Sequence, residues 1–114
     1  MTTLALVDDD ENIIASLKIF FEAEGYNVRT YHDGLTALGA LTDSPPDLAI
    51  LDVKMPKMDG IELTERIRER HGPDVILMTG YFRDFTYGKA IASGASDCLQ
   101  KPFDIKELLI RLQR

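Results

Sequence analysis

Basic residues are in short supply. The chain of 114 residues carries 13 Lys and Arg against 19 Asp and Glu, a net charge of -6. Nucleic-acid backbones are gripped by basic surface, so this balance argues against a domain that binds nucleic acid itself, though not against a DNA-binding partner domain. Cysteine is scarcer. The single Cys98 excludes an internal disulfide and fits a reducing compartment. No apolar run approaches the roughly 20 residues of a membrane span, and a charged-then-apolar leader is missing, so a cytoplasmic domain without membrane contact is expected. No Gly-x-Gly-x-x-Gly or phosphate loop follows the first apolar run, where "DDDEN" is the opposite chemistry. No linker or low-complexity segment divides the chain, so residues 1–114 are expected to form one domain. The helical pattern running into Arg114 suggests a domain cut from something longer, with a stand-alone domain as the alternative.

Apolar residues make up 45% and charged residues 28%, ordinary for a globular protein. Their pattern alternates. Runs at Leu4–Val7, Tyr26–Tyr31, Asp47–Leu51, Val75–Met78 and Asp97–Gln100 are short and apolar or β-branched, as in parallel strands covered on both faces. Between them lie helical periods. Ile13, Leu17, Phe20 and Phe21 share one face, and Glu24-Gly25 supplies a stop. Leu35, Leu38 and Leu41 recur at three. Ile61, Leu63, Thr64 and Ile67 precede a charged surface that His71-Gly72-Pro73 ends. Phe82 to Ser93 reads as a fourth helix, and Ile105, Leu108, Leu109 and Leu112 as a fifth. Strands recur about every 22 residues, with one longer step of about 28 that contains "VKMPKMDG". Five such units in series predict an α/β domain with one parallel sheet and helices on both faces.

Ligands of such sheets bind beyond the carboxyl ends of the strands. The first strand ends in Asp8 and Asp9, the third in Asp52, the fourth in Thr79-Gly80 and the fifth in Lys101-Pro102. Three carboxylates at one rim repel. Unit charges ~4 Å apart interact by about 4 kcal/mol at an effective dielectric near 20. A hard divalent cation relieves this, and Mg²⁺ suits oxygen ligands. Each residue alone has a plainer reading. Asp10 reads as the N-cap of the first helix and Glu11 as an acid at its positive end. Asp52 alone fits a turn, and Thr79-Gly80 or Lys101-Pro102 alone a loop. The signal is the set.

"LVDDD", "LAILDVKMPKMDG", "ILMTG" and "DCLQKPF" together resemble the signature segments of receiver domains of two-component response regulators, in order and over essentially the whole chain. The resemblance implies a flavodoxin-like (βα)5 doubly wound sheet in the order 2-1-3-4-5. It implies phosphoryl transfer to Asp52 from a sensor histidine kinase or a histidine phosphotransfer protein. Asp8, Asp9 and Asp52 would hold Mg²⁺ with the backbone carbonyl of Lys54, Asp9 more directly than Asp8. Thr79 would bond the phosphoryl group and shift on activation, Gly80 would let backbone approach it, and Lys101 would pair with its oxygens ahead of a cis Pro102. A C-terminal output domain and a homodimer through the fourth helix, fifth strand and fifth helix are further options of the family. The domain would promote its own phosphorylation and dephosphorylation without turning over a separate substrate.

The chemistry fits these residue types independently. A carboxylate is a competent nucleophile that gives a labile acyl phosphate, and phosphoryl transfer needs positioning and charge neutralisation more than proton chemistry. One position departs from the family. Cys98 stands where an aromatic residue usually precedes the lysine by three. Tyr81, and Phe82 or Phe85, are nearby candidates to supply that ring. A reactive-thiol role competes with plain packing, the usual fate of a short strand residue. Lys54 and Tyr81 hold the family's variable flanking positions, where lifetime is tuned. His32 and His71 read as a loop residue and a solvated helix end. A dehalogenase-like phosphatase would need a second acid where Lys54 stands. A receiver that no longer takes phosphate is the remaining alternative, and Mg²⁺ with beryllofluoride separates it.

Overall fold

The computed structural model describes residues 1–69, 72–80 and 84–113. Five strands, Thr3–Val7 (β1), Asn27–Tyr31 (β2), Leu48–Asp52 (β3), Asp74–Thr79 (β4) and Asp97–Gln100 (β5), form one parallel sheet in the order β2-β1-β3-β4-β5. Five helices alternate with them: Glu11–Ala23 (α1), Gly34–Asp43 (α2), Gly60–Arg68 (α3), Asp84–Ala92 (α4) and Ile105–Leu112 (α5). The expected architecture and strand order are both present. His71, Tyr81, Phe82 and the side chain of Phe85 lie outside the described residues, as does the expected start of the fourth helix at Phe82.

Strand residues alternate between two cores, which is the direct consequence of the two-residue pleat. Leu4, Leu6, Ile50, Ile76, Met78 and Leu99 pack with Ile14, Leu17 and Phe21 of α1 and Leu108 of α5. Ala5, Val7, Leu51, Val75, Leu77 and Cys98 pack with Leu41 of α2, Leu63 and Ile67 of α3 and Ala90 of α4. Each fully buried Leu or Phe contributes about 1.5–3 kcal/mol relative to exposure. Strands covered on both faces have no polar alternation, hence the continuous apolar runs.

Two helix faces differ from the periodicity. On α1 the inward residue is Ile14, while Ile13 is only half-buried. On α2, Leu35 is 52% exposed, and the buried residues are Gly34, Ala37 and Leu41. A step of three drifts around a helix of 3.6 residues per turn, so Leu35, Leu38 and Leu41 cannot share one face. Strand ends shift by a residue because pairing decides them: Asp52 pairs with Met78 and Thr79 with Gln100.

Candidate functional site

Register brings the acids together. Val7 pairs with Leu51, so the next residues, Asp8 and Asp52, meet side by side where β1 and β3 end. One carboxylate oxygen from each of Asp8, Asp9 and Asp52 lies within 4.8 Å of the others. Asp8 is fully buried, Asp52 is 6% exposed and Asp9 faces solvent. Thr79-Gln100 pairing likewise aligns the ends of β4 and β5, and the Lys101 N–H donates to the Thr79 carbonyl at 2.7 Å. The Lys101-Pro102 bond is cis, as the resemblance implies.

Lys101 is the internal counter-charge of the site. Its Nζ lies 2.8 Å from Asp8 Oδ2 and 3.4 Å from Asp52 Oδ1. Asp8 is thereby committed: its other oxygen accepts the Asp10 N–H at 3.0 Å. Burial, and then the charge of Asp8, push the Asp52 carboxyl up to about 6, against the opposing pull of Lys101. Burial works against the Lys101 ammonium, yet the bond to Asp8 and the charge of Asp52 outweigh it and hold its pKa above the ordinary value. The site is therefore short of positive charge. An oxygen-rich, partly open cluster with that deficit fits a hard divalent cation.

Asp10 is spent elsewhere. Its Oδ1 caps α1 by accepting from Asn12 N–H at 2.9 Å and Ile13 N–H at 3.3 Å. Asp10→Ala is therefore expected to cost about 1 kcal/mol of stability, the usual worth of a cap, with Mg²⁺ affinity close to the parent. Asp9→Ala should do the reverse. Urea midpoints and Mg²⁺ titrations of both variants decide it, and equal losses of affinity would remove the distinction.

Four acids and bases expected at the rim are thus assembled: Asp8, Asp9, Asp52 and Lys101. Thr79 stands buried at the adjoining strand end, and Lys54 is exposed at the start of the loop beyond Asp52. A Cβ added to Gly80 would meet nothing within 4 Å among the described residues, so the protein itself does not require a glycine there. His32 is exposed beyond β2, as expected of a loop residue. The pairing of Lys101 with Asp8 was not legible in sequence, because the two are 93 residues apart and meet only through the sheet order.

The chain matches the response regulator receiver domain over residues 4–113. It belongs to that family. This receiver domain is 41% identical over 113 residues to the transcriptional regulatory protein CpxR of Escherichia coli strain K12, covering 99% of this chain and 48% of that one. The receiver domain of the Francisella response regulator 1452 superposes with a TM-score of 0.93 at 31% identity, covering 99% and 94% of the two chains. The Vibrio cholerae chemotaxis protein CheY4 gives 0.93 at 31% identity, covering 100% and 98%. The receiver domain spans about half the length of the curated relatives it matches. Phosphorylation on an aspartate is the standard function of the family.

Cys98 is buried at 3% exposure on β5, and burial, then the charge of Asp97, push its thiol up to about 11. A thiol in that state is a poor nucleophile. At pH 8 a disulfide reagent should label Cys98 in the folded receiver domain only at the rate of opening, and within minutes in urea. Fast labelling of the native protein would reinstate the reactive-thiol reading.

Proposed function

We propose that Asp52 is the phosphoacceptor of this receiver domain and that Mg²⁺ bound by Asp8, Asp9, Asp52 and the Lys54 carbonyl assists it. The observation that carries the reading is the meeting of three carboxylates within 4.8 Å with one ammonium 2.8 and 3.4 Å from two of them. Bound Mg²⁺ supplies positive charge to the transferring phosphoryl oxygens. An Asp52 oxygen attacks phosphorus, and the donor's imidazole nitrogen leaves with the electron pair of the broken N–P bond. Lys101, already between Asp8 and Asp52, pairs with a phosphoryl oxygen. Thr79 offers its hydroxyl at the neighbouring strand end, where a charge-assisted bond draws it to the new anion. Gly80 follows it and keeps that approach open. The domain supports its own phosphorylation and dephosphorylation and turns over no separate substrate.

The donor is a sensor histidine kinase or a histidine phosphotransfer protein of the cytoplasm. A groove of about 570 Å³ beside the site supports a protein donor; Ile13 and Leu17 of α1 line one side, and Pro102, Phe103 and Ile105 the other. A helix laid there would cover half-buried Ile13 and bring its histidine to the rim. Output runs to a C-terminal domain or to a second copy through α4, β5 and α5, where Tyr87, Ile91 and Ile110 are exposed. Sedimentation at rising concentration with beryllofluoride tests the second copy; an unchanged monomer would discard it.

The decisive experiment uses acetyl phosphate and Mg²⁺. One phosphoryl mass should be added, fail to appear when the metal is chelated beforehand, and map to Asp52. A label on any other residue overturns the assignment. With a protein donor, Ile13→Asp should slow transfer while acetyl phosphate still loads the domain normally; equal slowing of both would remove the groove from docking.

A further inference from the structure

Two Asp-Gly pairs, Asp33-Gly34 and Asp59-Gly60, open α2 and α3 in the same way. Each aspartate caps its helix, Asp33 Oδ1 accepting from Thr36 N–H at 2.7 Å and Asp59 Oδ1 from Glu62 N–H at 2.8 Å. Gly34 then faces Met58 of the loop 53–59, and Gly60 faces the Asp52 carbonyl at the end of β3. A Cβ on Gly60 would stand 2.2 Å from the Asp52 carbonyl oxygen. One on Gly34 would stand 2.5 Å from the Met58 carbonyl oxygen and 2.9 Å from the Met58 Cβ. Contacts under 3.0 Å essentially never occur, and the main obstacles here are backbone. A side chain at Gly34 would have to move the loop at Met58, and one at Gly60 the end of β3 at Asp52.

The loop has little other freedom. Val53 N–H donates to Met78 O at 2.8 Å and Gly60 N–H to Val53 O at 2.8 Å, which fixes its two ends. Between them, Met58 N–H closes a turn onto Pro56 O, and Lys57 stands at φ 70. Met58 is 5% exposed, in one core cluster with Ala37 and Leu41 of α2. The middle of the loop is therefore located from outside, by α2.

We infer that Gly34 is a positioning residue for the phosphoacceptor loop. The first turn of α2 sets where Met58 lies, and the loop transmits that placement back to Lys54 and Asp52, because Gly60 leaves no slack at its other end. Gly34 touches no reacting atom. The inference rests on the proposed metal-assisted reading of the site.

Gly34→Ala and Gly39→Ala test it side by side. Both replace a glycine of α2, but a Cβ at Gly39 meets nothing within 4 Å among the described residues. Isothermal titration with Mg²⁺ should show at least tenfold weaker binding in Gly34→Ala at a temperature where its circular dichroism is native. Gly39→Ala should bind like the parent. Parent-like affinity in folded Gly34→Ala overturns the inference and leaves the site reading intact. A parent that binds no Mg²⁺ overturns the site reading and this inference with it. Should Gly34→Ala not fold, the parent decides: its Gly34 amide resonance should shift during the titration with the same midpoint as that of Lys54, and an unmoved Gly34 resonance overturns the inference.

Discussion

Asp52→Asn is expected to abolish phosphoryl uptake and, without metal, to make the domain more stable at neutral pH. Loss of uptake follows from the nucleophile: an amide in place of the carboxylate forms no acyl phosphate. The gain in stability follows from burial and repulsion. Both raise the Asp52 pKa from 3.8 to about 6 in the folded chain. The folded state then binds a proton more tightly than the unfolded chain does. Its favourable contribution is complete below about pH 4 and is lost as pH rises through about 6. At pH 7.5 the ionised carboxylate is therefore held at a cost to the fold.

Asparagine removes that charge while Lys101 keeps its shorter bond, 2.8 Å to Asp8. Urea unfolding of both proteins at pH 5 and pH 7.5 should show the advantage of Asp52→Asn widening with pH. Saturating Mg²⁺ should shrink or reverse it, because a ligand stabilises in proportion to its preference for the folded state, and the parent offers one more ligand. A variant less stable than the metal-free parent at pH 7.5 would mean that Asp52 is not held against its own charge.

What could be seen in the sequence follows from what each core is made of. Strands covered on both sides leave apolar runs, and "DLAIL" and "VILM" were visible for that reason. Their ends then delivered Asp52 and Thr79, since a parallel sheet gathers its carboxyl ends at one rim. Helix faces were harder. On α2 the inward residues are Gly34, Ala37 and Leu41, and the two small ones carry almost no hydrophobic signal, whereas exposed Leu35 does. The close approach of Gly34 to Met58 was hidden because it joins two segments remote in sequence. The repeated Asp-Gly start of two helices was its only trace.

Lys101→Ala is expected to have the largest cost to the metal-free fold. Asp8 is fully buried, and Lys101 is both its closest cation and the counter-charge of Asp52. Removing one partner of a buried pair leaves an uncompensated charge and typically costs about 3–5 kcal/mol. Here two neighbouring carboxylates are left, so part of the cost is avoided only by taking up a proton. The loss should accordingly be smaller at pH 5, where the raised Asp52 carboxyl takes up a proton, than at pH 8, where it is ionised. Mg²⁺ supplies the missing charge at the same rim, so it should restore more stability to Lys101→Ala than it adds to the parent. It should also bind the variant more tightly, because the ammonium it must approach in the parent is gone. Lys101→Arg, which keeps the charge, should bind Mg²⁺ nearly as the parent does. Thermal melts with and without Mg²⁺ at both pH values measure all of this. A Lys101→Ala melt equal to that of the metal-free parent, or a weaker response to Mg²⁺, would show that Lys101 is not the charge that holds the three carboxylates together.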